Sequence, residues 1–193
     1  MRASRLSGIN ICVLLFLLLT FVSCATQGGK KLVKRVPPTD NLRQKMKKEE
    51  YLAVLRLIRK ERENQKKGGL YRKELISAIN GLIYDGKLYY FMKRYEKGAL
   101  TFRTVLNFFP SDPEEKWLIS DNSARIKEYI DEGSKALLEE GLAEYREGNL
   151  GYAIKIWKKI IIFNPNYKEA RKAIDTATIQ LNNLRSLKEG EKQ

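Results

Sequence analysis

The side chain best suited to covalent chemistry in this sequence is the thiol of Cys24, one of only two cysteines in the chain. A thiolate is a far better nucleophile near neutral pH than a serine hydroxyl, so this residue can be modified covalently. It follows the almost wholly apolar run 9–22, and the first residues carry Arg2 and Arg5 without an acid. A basic start, an apolar middle and small residues at the end are typical of a signal peptide. The run is shorter than the roughly 20 residues that a membrane-spanning helix needs.

The segment Phe21-Val22-Ser23-Cys24 resembles the lipobox of bacterial lipoproteins. In that family the thiol takes a diacylglyceryl group and the cysteine becomes the new amino terminus, so the resemblance implies a signal peptide over 1–23 and a lipid on Cys24. The alternative is ordinary secretory cleavage after Ala25, giving a soluble secreted or periplasmic protein. Phe21, where a lipobox usually has leucine, keeps this alternative open. The lipid is favoured because a chain that begins at Cys24 has no other cysteine, and a single free thiol is unusual in a secreted protein.

Three carboxylates, Glu140, Glu144 and Glu147, share one helical face and could hold a cation or serve in acid–base catalysis. Lys135 and Arg146 are their neighbours in sequence, which favours a solvated charged face instead. The chain has no histidine, the residue that most often serves as general base or metal ligand. It also lacks a glycine-rich phosphate loop and metal-spaced ligands. We therefore expect no catalytic residue, no metal and no cofactor, and a protein that is not an enzyme.

Positive charge is concentrated near the start of the predicted mature chain. Residues 30–73 contain sixteen basic and five acidic side chains, whereas residues 74–193 contain nineteen and eighteen. Basic segments can bind nucleic acid, but an exported protein does not normally meet it, so we expect no nucleic-acid partner. The basic segment is either a solvated tether or a contact with anionic lipid, to which each Lys or Arg near the surface contributes about 1 kcal/mol.

Capping signals and apolar spacing predict an all-α fold. Asp112-Pro113-Glu114-Glu115 combines an N-cap, a proline in the first turn and a glutamate three residues after the cap. No segment of any length alternates apolar and polar residues as a strand would. The predicted helices are 40–65, 70–92, 95–108, 113–147 (continuous, or broken near 120–122), 150–163 and 166–187.

The chain divides into segments of different predicted character. They are a signal peptide over 1–23, a basic tether over 24–39, an N-terminal helical region over 40–78, a first repeat-like unit over 79–112, an intervening helix over 113–133, a second unit over 134–167, and a C-terminal capping helix and tail over 168–193.

Two stretches of the sequence match each other at a constant separation along the chain. This separation equals the one from Gly86 to Gly141, and we call it the repeat offset. Such self-similarity over a helical pattern indicates a repeated two-helix unit. The matched pairs are Leu82 and Leu137, Gly86 and Gly141, Tyr90 and Tyr145, Tyr95 and Leu150, Gly98 and Ala153, Phe102 and Trp157, Val105 and Ile160, and Pro110 and Pro165.

The two stretches resemble the tetratricopeptide repeat, a 34-residue helix-turn-helix unit. Small residues let the two helices approach closely, the aromatic four residues later fills the space beside them, and a proline ends the second helix. The resemblance implies a short array of helical hairpins, an α-solenoid, with flanking helices; a plain helical-hairpin bundle is the alternative. Gly98 replaces the family's usual alanine, so the first unit is a degenerate repeat. The packing positions are Gly86, Gly98, Phe102 and Pro110 in the first unit and Gly141, Ala153, Trp157 and Pro165 in the second.

In arrays of this family the first helix of each unit lines a concave groove, so the resemblance implies a surface that binds a protein partner. An aromatic and cationic groove suits an extended segment or a helix that carries a carboxylate. Because a groove is open to solvent, we expect Tyr145→Ala to leave the stability nearly unchanged. The groove residues carried over are Asn80, Ile83, Lys87, Tyr90 and Phe91 in the first unit and Lys135, Leu138, Leu142, Tyr145 and Arg146 in the second.

Together these features predict a lipid-anchored envelope adaptor. Ala25, rather than an aspartate, follows Cys24, which by resemblance to sorted lipoproteins implies the periplasmic face of the outer membrane. Two alternatives stay open. One is a cell-wall or anionic-glycolipid binder that uses the basic segment and the tyrosines. The other is a pilotin-like assembly subunit of a secretion, pilus or outer-membrane machine.

The first testable prediction concerns the lipid. Cys24→Ser should abolish maturation and partitioning into detergent, because each buried methylene of an acyl chain contributes about 0.8 kcal/mol to membrane affinity and two or more chains hold a protein stably. Detergent phase separation of cell extracts measures the partitioning. A mutant that still matures and still enters the detergent phase would show that the lipobox assignment is wrong.

Overall fold

The computed structural model of the chain describes residues 38–65 and 69–190; the predicted signal peptide, Cys24 and most of the tether lie outside them. In these ranges the fold is all-α without a strand, which confirms the predicted fold class. Each long helix packs against the one before and the one after it, as in an array of helical hairpins. The helices are α1 (Pro38–Lys47), α2 (Tyr51–Gln65), α3 (Arg72–Phe91), α4 (Tyr95–Phe108), α5 (Pro113–Trp117), α6 (Ser123–Arg146), α7 (Leu150–Phe163) and α8 (Lys168–Gly190).

The two central hairpins, α3–α4 and α6–α7, are closed by the same turn. Lys93 in the first turn and Gly148 in the second both have positive φ, 57° and 82°. The backbone therefore repeats at the same offset as the sequence. The hydrogen bonds repeat as well: the N–H groups of Met92, Lys93 and Arg94 donate to the carbonyls of Leu88, Tyr90 and Tyr89, and those of Glu147, Gly148 and Asn149 donate to the carbonyls of Ala143, Tyr145 and Glu144.

A glycine stands where the two helices of each hairpin cross. A Cβ built on Gly86 would lie 2.8 Å from the ring of Phe102, and one built on Gly141 would lie 2.6 Å from Cδ1 of Trp157. Both distances are shorter than real Cβ contacts, so the missing side chain is what lets each ring lie on the opposite backbone. Phe102 and Trp157 are fully buried. The indole of Trp157 also donates to the carbonyl of Leu138 at 3.1 Å.

The segment between the two hairpins contains α5 and is held in place by a buried ion pair. Asp112 caps α5 as predicted, with its carboxylate accepting from the N–H groups of Glu114 at 2.8 Å and Glu115 at 3.2 Å. The side chain of Glu115 does not complete a capping box, because it is buried against α2. It receives two hydrogen bonds from the guanidinium of Arg62, at 2.6 and 3.2 Å. Removing either partner would leave a buried charge uncompensated, so the pair locks α5 to α2.

The prediction of one helix over 40–65 is wrong. The chain forms two helices there, α1 and α2, and Glu49 between them has a left-handed φ of 58°. The bend lets α1 pack against both α2 and α3, so that Leu42 is buried in the same core as Val54 and Leu55. Burial of Leu42 in a third element is a tertiary effect that no local signal marks.

The helical stretch predicted over 113–147 is broken near 120–122, one of the two outcomes expected from the sequence, and this break divides the segment 113–133 that was assigned to an intervening helix. The short α5 is followed by the 24-residue α6, which runs through residue 133 without interruption. Residues 123–133 are therefore an extension of the first helix of the second hairpin. Gly133 permits this extension to lie on α4, since a Cβ at that position would come within 3.1 Å of the Cβ of Ala99.

The crossing glycines give a matched pair of variants. Gly141→Ala should lower the free energy of unfolding by about 1–3 kcal/mol, because the new methyl group displaces the buried ring of Trp157. Gly151→Ala in α7, where nothing lies within 4 Å of the added methyl, should raise it by up to about 1 kcal/mol. Urea unfolding followed by circular dichroism measures both. The same sign of change in the two variants would contradict the crossing geometry.

Candidate functional site

Part of the basic segment 30–73 is described, and several of its side chains are used inside the molecule. Besides Arg62, Arg72 pairs with Glu114 at 2.8 Å. The guanidinium of Arg59 lies 3.8 Å from the centre of the Phe108 ring. These arginines hold α2 and α3 to the α4–α5 connection. Among residues 38–65 and 69–190 no helix combines the length and the apolar character needed to cross a membrane.

The predicted groove of the first hairpin is partly occupied by the chain itself. Asn80 accepts a hydrogen bond from the N–H of Ser120 at 2.9 Å and donates one to the carbonyl of Leu118 at 3.3 Å. Two turns further along α3, the ammonium of Lys87 lies 2.7 Å from a carboxylate oxygen of Asp121. The segment 118–121 therefore contacts this side of α3 through Asn80 and Lys87. Lys87 remains exposed, and its part in binding a partner stays a prediction.

Ile83 and Tyr90 point into the core rather than towards a partner, which corrects their assignment to the groove. The ring of Tyr90 meets those of Phe102 and Tyr129 edge-on, at 5.5 and 5.8 Å between centres, and its hydroxyl donates to the carbonyl of Tyr129. Burial raises the pKa of the Tyr90 phenol. Gly98 makes this orientation possible, because a Cβ there would collide with the Tyr90 ring. Of the five predicted residues in this hairpin, Phe91 is 88% exposed, and Lys87 is exposed but paired with Asp121.

In the second hairpin the corresponding residues line an open apolar cleft between α6 and α8. The cleft has a volume of about 370 Å³, with the edge of the buried Trp157 at its floor. Tyr145 closes one end, where its hydroxyl donates to the side-chain carbonyl of Gln180 at 2.6 Å. The lining residues are Leu138, Leu142 and Tyr145 of α6, Trp157 of α7, and Glu169, Lys172, Ala173 and Thr176 of α8.

The mouth of the cleft carries charge. Glu169 and Lys172 line it from α8. Lys135 and Arg146 are exposed on α6, three residues before Leu138 and directly after Tyr145 in the chain. The lining thus holds one acid and one cation, and exposed residues of both signs, Lys135 and Arg146 with Glu139 and Glu147, are close in sequence to the lining residues of α6.

The wall supplied by α8 was missed by sequence reasoning. Residues 169–176 lie well beyond Leu142 in the chain, and no motif links the two. The available signal was the spacing of Ala170, Ala173 and Ala177, which are small residues on one face of a helix. Ala170 and Ala177 are fully buried, so that α8 can lie close to α7.

Two of the three carboxylates considered for a cation site, Glu144 and Glu147, have a hydrogen-bond partner within the chain. Asn149, in the turn after α6, donates to Glu144 at 2.9 Å and to Glu147 at 3.4 Å. Within the described part of the chain, no group of three or more His, Cys, Asp or Glu side chains could hold a metal ion.

These features define an all-α array of helical hairpins with an apolar cleft in its second hairpin. No family model matches the chain, and no curated protein or solved structure resembles it significantly.

The structure changes the prediction for the stability of Tyr145→Ala. Its ring lies 6.0 Å from that of Trp157 and is partly buried, so Tyr145→Ala should lower the free energy of unfolding by about 2 kcal/mol. Tyr145→Phe loses only the hydrogen bond to Gln180 and should lower it by about 1 kcal/mol or less. Arg146→Ala, at an exposed position, is the control and should change it by less than about 0.5 kcal/mol. Urea unfolding measures all three; an unchanged Tyr145→Ala would mean that the ring is not packed.

Proposed function

We propose that this chain is a lipid-anchored envelope adaptor of the tetratricopeptide type, which binds a protein partner in the cleft between α6 and α8 and performs no catalysis. The observation that carries the proposal is the difference between the two hairpins. Leu138, Leu142 and Tyr145 stand one repeat offset after Ile83, Lys87 and Tyr90. The first hairpin's Lys87 and Tyr90 face the chain's own segment 118–129, whereas the second set lines an open cleft.

The first hairpin also indicates which chemistry fits the second. There, the segment that covers α3 brings a carboxylate, Asp121, to Lys87 and an aromatic ring, Tyr129, to Tyr90. A partner that contributes apolar or aromatic side chains to the cleft and carboxylates to Lys135, Arg146 and Lys172 would satisfy the second hairpin in the same way. An amphipathic helix or an extended segment can present such groups in a row. The cleft's volume lies within the roughly 300–1,000 Å³ typical of binding pockets.

The envelope location is supported by residues 21–24 and by Ala25, as argued from the sequence. A lipid on Cys24 would hold the array within reach of a membrane surface, since the segment from Cys24 to Pro38 spans at most about 50 Å when fully extended. An adaptor tethered in this way would raise the local concentration of its partner at the membrane.

Site-specific photo-crosslinking in intact cells tests the proposal. A photoreactive amino acid at Thr176, exposed in the wall of the cleft, should crosslink to one protein in fixed stoichiometry. The matched control is Thr178, which is exposed two residues further along the same helix, about 200° around its axis. Leu142→Glu should weaken the crosslink from Thr176 at least about tenfold, because a charge replaces an apolar contact in the cleft.

Equal crosslinking at the two positions, or none at Thr176, would contradict the proposal. Recovery of glycan in place of a protein would identify the chain as a cell-wall binder. Circular dichroism of Leu142→Glu shows whether the fold is retained, so that loss of binding is separated from unfolding.

A further inference from the structure

A second apolar surface lies on α3, outside the cleft. Its residues are Tyr84, Leu88, Phe91 and Met92, whose exposed fractions are 68, 39, 88 and 51%. Spacings of four, three and one residues place these side chains on one side of a helix. We refer to these four residues as the α3 face. Single exposed apolar residues are normal, but a contiguous exposed group of this size marks an interaction surface.

The fold does not require the α3 face to be apolar. One repeat offset later, the equivalent positions of the second hairpin are also exposed, but they are polar or small. A helix of this hairpin type can therefore carry polar or small side chains at these positions. The pairs are Tyr84 and Glu139, Leu88 and Ala143, Phe91 and Arg146, and Met92 and Glu147.

Cations border the α3 face. Lys93 and Arg94, in the turn that follows α3, are both exposed beside Met92. At the other end of the face Tyr51 rests on Gly81, and the α1–α2 turn before it carries the exposed cations Lys47 and Lys48 and the exposed acids Glu49 and Glu50. The excess of positive charge is therefore at the Met92 end of the face. Burial, followed by the charge of Glu49 in that turn, raises the pKa of Asp85, which is half-buried.

We propose that the α3 face rests on an anionic phospholipid bilayer, with Phe91 and Met92 in the interfacial layer and the bordering lysines and arginine on lipid phosphates. Tyrosine favours the membrane–water interface because its ring is apolar and its hydroxyl is polar, and phenylalanine and methionine add apolar area there. Cations beside an anionic surface add to the attraction. The chain as a whole is complementary to such a surface, with a formal net charge of +14.

Charge supports this occupant over a protein partner or a second copy. Lys93 and Arg94 extend the Phe91–Met92 end of the α3 face with two exposed cations, which suit lipid phosphates. A second copy packed on the same face would bring these like charges together. The inference does not depend on the cleft between α6 and α8.

The fluorescence of a tryptophan placed on the α3 face reports whether this face lies in water or in lipid. All variants are made in the full-length chain carrying Trp117→Phe, so that Trp157, which is only 1% exposed, supplies a constant background. Phe91→Trp is compared with Tyr152→Trp, an aromatic replacement at an exposed position of α7. The proteins are reconstituted with phosphatidylcholine vesicles, with or without phosphatidylglycerol, that contain brominated lipid as a quencher.

Fluorescence at position 91 should shift to the blue and be quenched at least about twofold more than at position 152 in the anionic vesicles. In 1 M salt the difference should shrink, because the Debye length falls to about 3 Å. Adding Leu88→Glu should reduce the quenching at position 91 to that of the control. Equal quenching at the two positions, or no quenching at position 91, would overturn the proposal. A blue shift that grows with protein concentration in the absence of vesicles would instead assign the α3 face to a second copy.

The outcomes are separable from those of the cleft experiment. If the α3 face stays in water while Thr176 still crosslinks to a partner, the membrane contact is wrong and the adaptor function stands. If position 91 is quenched while Thr176 crosslinks to nothing, the membrane contact stands and the adaptor function is wrong.

Discussion

Two packed helices approach closely where one of them has a small side chain or none, and the central hairpins of this protein each depend on a glycine at such a place. Gly86 gives the ring of Phe102 its position, and Gly141 does the same for Trp157. Because each aromatic ring is fully buried, it fixes both the distance between its two helices and their rotation about their axes. The neighbouring helices pack against the hairpins set in this way.

The two hairpins are alike in their backbone and different in what covers them. The extension of α6 and the segment before it lie over the first hairpin and use its polar and aromatic groups, chiefly Asn80, Lys87 and Tyr90. On the corresponding side of the second hairpin lies α8, which meets Tyr145 through Gln180 and leaves a cleft beside Leu142. The extra segment between the hairpins, which contains α5 and the start of α6, contributes to this asymmetry, because each unit of a helical array contacts mainly its neighbours.

The asymmetry separates the two surfaces on which the proposed functions rest. The cleft has apolar walls and a charged mouth, and it resembles the place that a neighbouring repeat would fill. The α3 face is exposed, partly aromatic and bordered by cations at its Met92 end, and the second hairpin has charged or small residues in its place. On the two proposals together, a membrane contact through the first hairpin would leave the second hairpin available to a partner.

The sequence by itself determined the elements and their repeat. The bounds Tyr95–Phe108 and Leu150–Phe163, the Asp112 cap and the repeat offset could all be predicted, because periodicity, capping and turn chemistry act between residues close in the chain. The tertiary structure alone decided where side chains of equal type point. Tyr90 turns into the core over Gly98, whereas Tyr145, whose hairpin has Ala153 at that position, leans on Trp157 and reaches α8. The absence or presence of one methyl group on the opposite helix sets the space available to each ring, and a pattern within one helix does not contain that information.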